Sequence, residues 1–370
     1  MYKELIHTPE GVRDIYGTEY SEKLAICDRI RNTIYLNGYE AIQTPTFEYF
    51  DVFSKEIGTI QSRDLYKFFD RTGDTLVLRP DFTPGVARCV AKYFDNADKP
   101  VKLTYSGNVF VNNSAYQGKL KETTQIGVEL MNDLSVEADA EVINLAIESL
   151  KSTGLSDFQV AVGHMEYFKG LCAAAGITEE DELKLREYIS GKNNVPALEL
   201  LDSLNCDDKT KELLIQAGDS IGDISVIENL KSKVTNERAL NALERLIKIH
   251  EIIKLMGNEK YVSFDLGLLS KYNYYTGAIF KAYTFGVGDA VIKGGRYDKL
   301  VSSFGSPKPA TGFVILIDDL LMALRRQDIK VKVKDKPIVL EYTADDYEDK
   351  LMFAARLRHS GKSVSLIPKN

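Results

Sequence analysis

Residues 123–131 constrain the fold more than any other stretch of the chain. Alternation along an extended strand places Thr124, Ile126, Val128 and Leu130 on one face and Gln125, Gly127 and Glu129 on the other. Such a strand buries one face in a core and leaves the second open. The open face has two readings. It meets water, as half-buried sheets do, or it floors a site. Gly127 favours a site, because glycine is unfavourable in mid-strand unless something approaches the backbone closely. A flat floor flanked by Gln and Glu suits a small ligand carrying an amine or an imidazole.

The surrounding pattern supplies the rest of an α+β fold. Residues 19–36 have Leu24, Cys27, Ile30 and Ile34 at helical spacing, with Gly38 as the stop. Residues 66–70 and 75–79 read as two strands joined by Arg71-Thr72-Gly73-Asp74, a hairpin signal. A helix follows from Pro84. Residues 102–111 pair with 123–131 around a polar loop, and a helix capped by Ser135 runs to Gly154. From Met165 to about Gly257 the pattern is helical and charged, interrupted once by Pro196, and reads as a separately packed insert without catalytic residues.

Strand periodicity returns at 261–265, 274–283, 290–293 and 311–317, and residues 318–326 close this part as a helix. A charged linker, Val331-Lys332-Val333-Lys334-Asp335-Lys336, precedes a strand, a helix and a strand over 338–342, 344–359 and 363–367. The expected organisation is a main domain over 1–330, with its insert at about 165–257, and a small βαβ segment over 331–370. Antiparallel strands flanked by helices give the main domain its class.

Charge and composition narrow the function. A net charge of −7 and a pI near 5.4 argue against a chain whose main task is gripping nucleic acid, since neutralising phosphates drives that binding. No stretch approaches the roughly 18 apolar residues of a membrane helix. The opening Met1-Tyr2-Lys3-Glu4-Leu5 lacks a secretory pattern, so the cytoplasm is expected. Cys27, Cys89, Cys172 and Cys206 are scattered without a CxxC pair, and the four histidines are equally dispersed. Neither a disulfide framework nor a metal site is expected, and no cofactor.

Few segments could carry chemistry. In Leu78-Arg79-Pro80-Asp81-Phe82-Thr83-Pro84, Asp81 and Thr83 either contact a ligand or cap the helix. Gly294-Gly295-Arg296-Tyr297-Asp298 reads as a loop between a strand and a helix, but it lacks the Walker spacing and its Lys-Ser/Thr pair. Gly286-x-Gly288 lacks the third glycine of a dinucleotide fingerprint and falls in a hairpin turn. Tyr272-Asn273-Tyr274-Tyr275-Thr276-Gly277 places aromatic hydroxyls beside a glycine. No serine–histidine or cysteine–histidine nucleophile is recognisable.

In order, these segments resemble class II histidyl-tRNA synthetases from about residue 8 to about residue 325. Thr8-Pro9-Glu10-Gly11-Val12-Arg13-Asp14 is similar to that family's opening. Gly38-Tyr39-Glu40 through Thr44-Pro45-Thr46-Phe47-Glu48 is similar to its first motif, which implies a dimer interface. Residues 78–83, Gln125-Ile126-Gly127-Val128-Glu129 and Tyr274-Tyr275-Thr276-Gly277 resemble the segments lining its histidine pocket. The resemblance implies a class II synthetase-like antiparallel sheet, with a histidine site formed by Asp81, Thr83, Gln125, Glu129, Tyr274 and Tyr275.

The departures from the family decide function. Its second motif has an arginine where Gly107-Asn108-Val109-Phe110 leads to Val111, and a glutamate where Asn113 stands. Its third motif ends in a glutamate and an arginine where Asp318-Asp319 stands, and its histidine loop begins with an arginine that aligns with Ser270. Fixed guanidinium groups hold the ATP phosphates during activation, and losing one such group costs several kcal/mol of transition-state stabilisation. All three are missing, so adenylation is expected to be lost.

A synthetase-like core without these arginines, followed by one βαβ unit in place of a complete anticodon-binding domain, resembles the regulatory subunits of short-form ATP phosphoribosyltransferase. That resemblance implies a homodimer, a hetero-oligomer with the small catalytic subunit of the first step of histidine biosynthesis, and feedback inhibition by histidine. The alternatives are an atypical aminoacylating synthetase and a tRNA-sensing module.

Overall fold

The computed structural model describes residues 6–53, 60–113, 119–270 and 275–369. The first strands are β1 (Glu40–Ala41), β2 (Phe47–Tyr49), β3 (Lys67–Phe69), β4 (Thr75–Leu78), β5 (Val101–Phe110), β6 (Glu122–Met131) and β7 (Phe158–His164). They are followed by β8 (Ile221–Gly222), β9 (Val262–Asp265), β10 (Ala278–Thr284), β11 (Ile292–Arg296), β12 (Ala310–Leu316), β13 (Ile338–Tyr342) and β14 (Val364–Pro368). The helices before the insert are α1 (Gly17–Leu36), α2 (Thr83–Tyr93) and α3 (Val136–Ser152). The insert contains α4 (Met165–Ala174), α5 (Glu179–Ser190), α6 (Asn194–Ser203), α7 (Asp208–Asp219), α8 (Ile224–Lys231) and α9 (Glu237–Leu255). The last helices are α10 (Ile317–Arg326) and α11 (Tyr347–His359). Among the described residues, no helix is long and apolar enough to cross a membrane.

Nine strands form one sheet in the order β1-β5-β6-β12-β11-β10-β7-β9-β8. Its centre is antiparallel, as the alternating segments lead one to expect, but β1 runs parallel to β5 and β7 parallel to β9. The sequence pattern does not signal β7, nor the shorter β2 and β8. The strand β7 lies between β10 and β9, and Val160, Ala161 and Val162 are all buried. A strand covered on both faces loses the period of two, so no alternation marks it.

One face of the sheet packs on α1 and α3. Ile126, Val128 and Leu130 of β6 join Ile26, Ile30 and Ile34 of α1 and Ile143 and Ile147 of α3 in a continuous core. Ser135 caps α3 as expected, its hydroxyl accepting the Ala138 N–H at 3.2 Å. The helices α4–α9 are not packed apart. Leu185, Leu201, Leu214 and Leu243 share this same core with Val160 and Val162, because α9 lies against both α3 and α4.

The opposite face stays open along part of its length. Beside the opening, Phe82, Val86, Val90, Leu103, Tyr105 and Tyr297 form a second core. A smaller sheet, β2-β4-β3, carries the expected hairpin, with Gly73 in the left-handed region at φ +93°. Gly294-Gly295-Arg296 lies within β11 rather than in a loop before a helix, and only a short 3-10 turn, Val301–Ser303, follows. Gly294 is required by packing: a Cβ there would run into the Phe280 ring and the Gly312 carbonyl. The strands β13 and β14 pair in parallel beneath α11, and Arg29 of α1 donates to the Lys332 carbonyl in the linker at 3.0 Å.

Candidate functional site

The open face of the sheet forms the floor of a cavity of about 620 Å³. Gln125 and Glu129 reach it from β6, Asp81 and Thr83 from the turn before α2, and Tyr275 from the segment before β10. Tyr274, the sixth residue expected there, lies outside the described residues. The cavity thus gathers the five others although they are separated by up to 194 positions in the chain (275 − 81).

Glu129 is the electrostatic centre of one end. It is only 2% exposed and accepts hydrogen bonds from the hydroxyls of Tyr297 and Tyr105, the latter at 3.3 Å. Burial pushes its carboxyl up to about 8, against the stabilising hydrogen bonds from Tyr297, Thr83 and Tyr105, while the nearby Asp81 charge adds to the rise. Gly312 of the neighbouring strand β12 makes room for this carboxylate, since a Cβ there would overlap Glu129 Oε2.

Asp81 and Thr83 are engaged at the start of the helix and also face the cavity. Asp81 Oδ1 accepts the Thr83 backbone N–H at 3.1 Å and the Thr83 hydroxyl at 3.3 Å, fixing the first turn of α2. Both residues also line the cavity. Gly127 is a glycine for a reason different from the one expected. A Cβ there would meet the Tyr105 hydroxyl and the Phe313 carbonyl, so the group approaching the backbone is Tyr105 of the adjacent strand. That ring stacks on Phe82 at 4.5 Å and an interplanar angle of 13°. Gln125 Oε1 is buried without a hydrogen-bond partner among the described residues, an acceptor suited to a ligand's N–H.

Among the lining residues that sequence reasoning missed are Tyr105, Tyr297, Lys281 and Lys293. Alternation on β5 and β11 was the available signal for Tyr105 and Lys293, because cross-strand register puts them on the Gly127 face. Arg296, in the same motif as Tyr297, is structural. It is 3% exposed and pairs with Asp139 at 2.8 Å and Asp298 at 3.1 Å.

A second cavity of about 730 Å³ adjoins the first through Lys293 and Leu316. Val111, Asn113, Asp318 and Asp319 line it. Asp318 Oδ1 pairs with Lys23 at 2.7 Å, and its Oδ2 accepts the Thr124 N–H at 2.7 Å. The Asp319 carboxyl is raised by burial and by the neighbouring Asp289 and Asp318 carboxylates. Cations line this chamber as well, but Arg13 is held by Glu19 at 2.6 Å, Arg325 by Glu22 at 2.6 Å and Lys293 by Asp289 at 2.9 Å, so a phosphate chain placed here competes with carboxylates for them. Ser270 lines the first cavity, and its carbonyl accepts from Arg186 Nη1 at 3.5 Å. Among the described residues, no cluster of His, Cys, Asp and Glu is arranged to hold a metal ion.

Comparison with known proteins agrees with this geometry. A family model for histidyl-tRNA synthetase matches residues 11–320. An ATP phosphoribosyltransferase regulatory subunit of Acetivibrio thermocellus is 40% identical over 361 residues, covering 98% of this chain and 86% of that protein. A crystal structure described as an ATP phosphoribosyltransferase regulatory subunit/histidyl-tRNA synthetase from Bacillus halodurans superposes with a TM-score of 0.88 at 34% identity, covering 98% of this chain and 93% of its own. A histidyl-tRNA synthetase from Nostoc sp. PCC 7120 shares the fold, with a TM-score of 0.83 at 20% identity over 99% of this chain and 86% of its own. In sequence and in fold, the chain belongs to the ATP phosphoribosyltransferase regulatory subunits, a family built on the histidyl-tRNA synthetase core.

Proposed function

We propose that this non-catalytic chain regulates a short-form ATP phosphoribosyltransferase catalytic subunit within a hetero-oligomer, and that histidine bound in the sheet-face cavity is its feedback effector. One observation carries the reading. Asp81, Thr83, Gln125, Glu129 and Tyr275 share one cavity, while the adjoining chamber has Val111 and Asp319 in place of ATP-binding arginines. A histidine ligand's ammonium and imidazole find the carboxylate of Asp81, the acceptor Gln125 Oε1 and the Glu129 carboxyl, whose ionised form a bound cation favours, and the tyrosine hydroxyls complete its hydrogen bonds.

A homodimer belongs to the same reading. Phe47, Tyr49 and Phe68 are exposed on one face of the small sheet beside the first-motif segment, an apolar patch suited to a second copy. Sedimentation at micromolar concentration checks it: a monomer contradicts the dimer. We assign 1–330 to the synthetase-like unit and 331–370 to a small appended unit. The four cysteines are free, in keeping with a reducing cytoplasm. The regulatory role is tested by reconstitution with a short catalytic chain. The phosphoribosyltransferase rate is expected to change on adding this subunit; an unchanged rate removes the proposal.

A further inference from the structure

We propose that Lys281 and Lys293 form the cationic end of the cavity and hold the α-carboxylate of the bound amino acid, in place of the arginine that is absent at Ser270. This inference rests on the amino-acid reading of the same site.

The register across the sheet supports it. Lys281 of β10 stands directly opposite Lys293 of β11, Lys293 opposite Val314 of β12, and Val314 opposite Gly127 of β6. All four therefore project from one row on one face. Val314 leaves the row low beside the lysines, the Tyr105 ring covers Gly127 beyond it, and both lysines line the cavity. Two like charges directly opposite on antiparallel strands, with Cβ atoms about 5 Å apart, repel one another and destabilise the sheet. Lys293 Nζ is partly compensated by Asp289 at 2.9 Å. Lys281 makes no ion pair among the described residues, and burial, then the Lys293 charge, depress its ammonium below the usual range against a partial offset from Asp289 and Asp265. A bound anion relieves that arrangement.

The dimensions fit a zwitterion. Glu129 and Lys293 are separated by two strand spacings and one two-residue step, about 12 Å between Cα atoms. Both side chains rise from the same face of the sheet and line the cavity, which leaves the space between them for a small amino acid. The acceptors Glu129, Asp81 and Gln125 face the ligand's nitrogen atoms, and the lysines are the only cationic side chains lining the cavity among the described residues. The carboxylate is thereby directed to them.

The test is a thermodynamic cycle by calorimetry on the full chain. Histidine and histamine, which lacks the carboxylate, are titrated into wild type, Lys281→Met and Lys281→Arg. Wild type is expected to prefer histidine by about 10- to 100-fold. Lys281→Met should lose most of that preference by weakening histidine alone, and Lys281→Arg should retain it. Equal histidine affinity in wild type and Lys281→Met overturns the lysine assignment, as does a loss shared equally by histidine and histamine, which marks a structural role. If wild type binds neither compound, the amino-acid reading itself fails, and this inference with it.

Discussion

Lys23 of α1 and Asp318 at the start of α10 form an ion pair at 2.7 Å, with side chains only 10% and 9% exposed. The second oxygen of Asp318 holds the Thr124 backbone N–H at the edge of the alternating strand β6. The carboxylate beside the lost third-motif arginine thus ties a helix to the sheet. Removing one partner of a nearly buried pair leaves the other uncompensated, which costs about 3 kcal/mol or more. We expect Asp318→Ala to lower stability by that amount in urea unfolding, and Lys23→Met in the same chain to recover part of it. A change below about 1 kcal/mol contradicts the staple.

Gly127 sits beneath Tyr105, and Gly127→Ala forces a methyl group against the Tyr105 hydroxyl and the Phe313 carbonyl. Overpacking of this kind costs about 1–3 kcal/mol. Double substitution with Tyr105→Ala should relieve the clash. Urea midpoints of the two single variants and the double variant measure the coupling; strict additivity contradicts the packing account.

Much of this was legible in the sequence where one face of an element is buried and the other is not. Period-two alternation marked β6, and capping by Ser135 marked the start of α3. The strand β7 was illegible because both its faces are covered, and the shared core of α4–α9 was illegible because a helix pattern shows which face is apolar but not what covers it. Asp81, Thr83, Gln125, Glu129 and Tyr275, which share one cavity, were singled out through short motifs in the right order. Lys281 and Lys293 escaped because they belong to no motif; only strand register sets them side by side.

Glu129 titrates with a definite sign. Its carboxyl rises from an ordinary 4.5 to about 8 in the folded chain, so between those values the native state holds a proton that the unfolded state has released. The stability this proton confers is present below about pH 4.5 and is lost progressively as pH rises to about 8. Glu129→Gln removes the titration. We expect its unfolding free energy to fall less steeply than that of wild type across this window, with the variant the more stable above pH 8 by a few kcal/mol. Parallel stability curves contradict a buried, raised carboxyl.

Adenylation should be absent. Histidine-dependent ATP–pyrophosphate exchange by the purified chain is expected at background, because Val111 and Asp319 stand where the resemblance calls for phosphate-binding arginines, and Arg13, Arg325 and Lys293 of the same chamber are engaged by Glu19, Glu22 and Asp289. Val111→Arg alone should not restore it, since groups that act as a unit are not rescued singly. Exchange above background in wild type contradicts the loss of synthetase chemistry.

Histidine inhibition of the reconstituted phosphoribosyltransferase, measured with wild-type chain and with Glu129→Ala, tests the central claim most directly. Binding alone does not establish regulation, because an effector acts only by favouring one state of the assembly over another. The expected result is inhibition with wild type and, with Glu129→Ala, an inhibition curve displaced to at least about 10-fold higher histidine. Identical inhibition curves would place the effector elsewhere, and a rate insensitive to histidine with the wild-type subunit would contradict the regulatory site altogether.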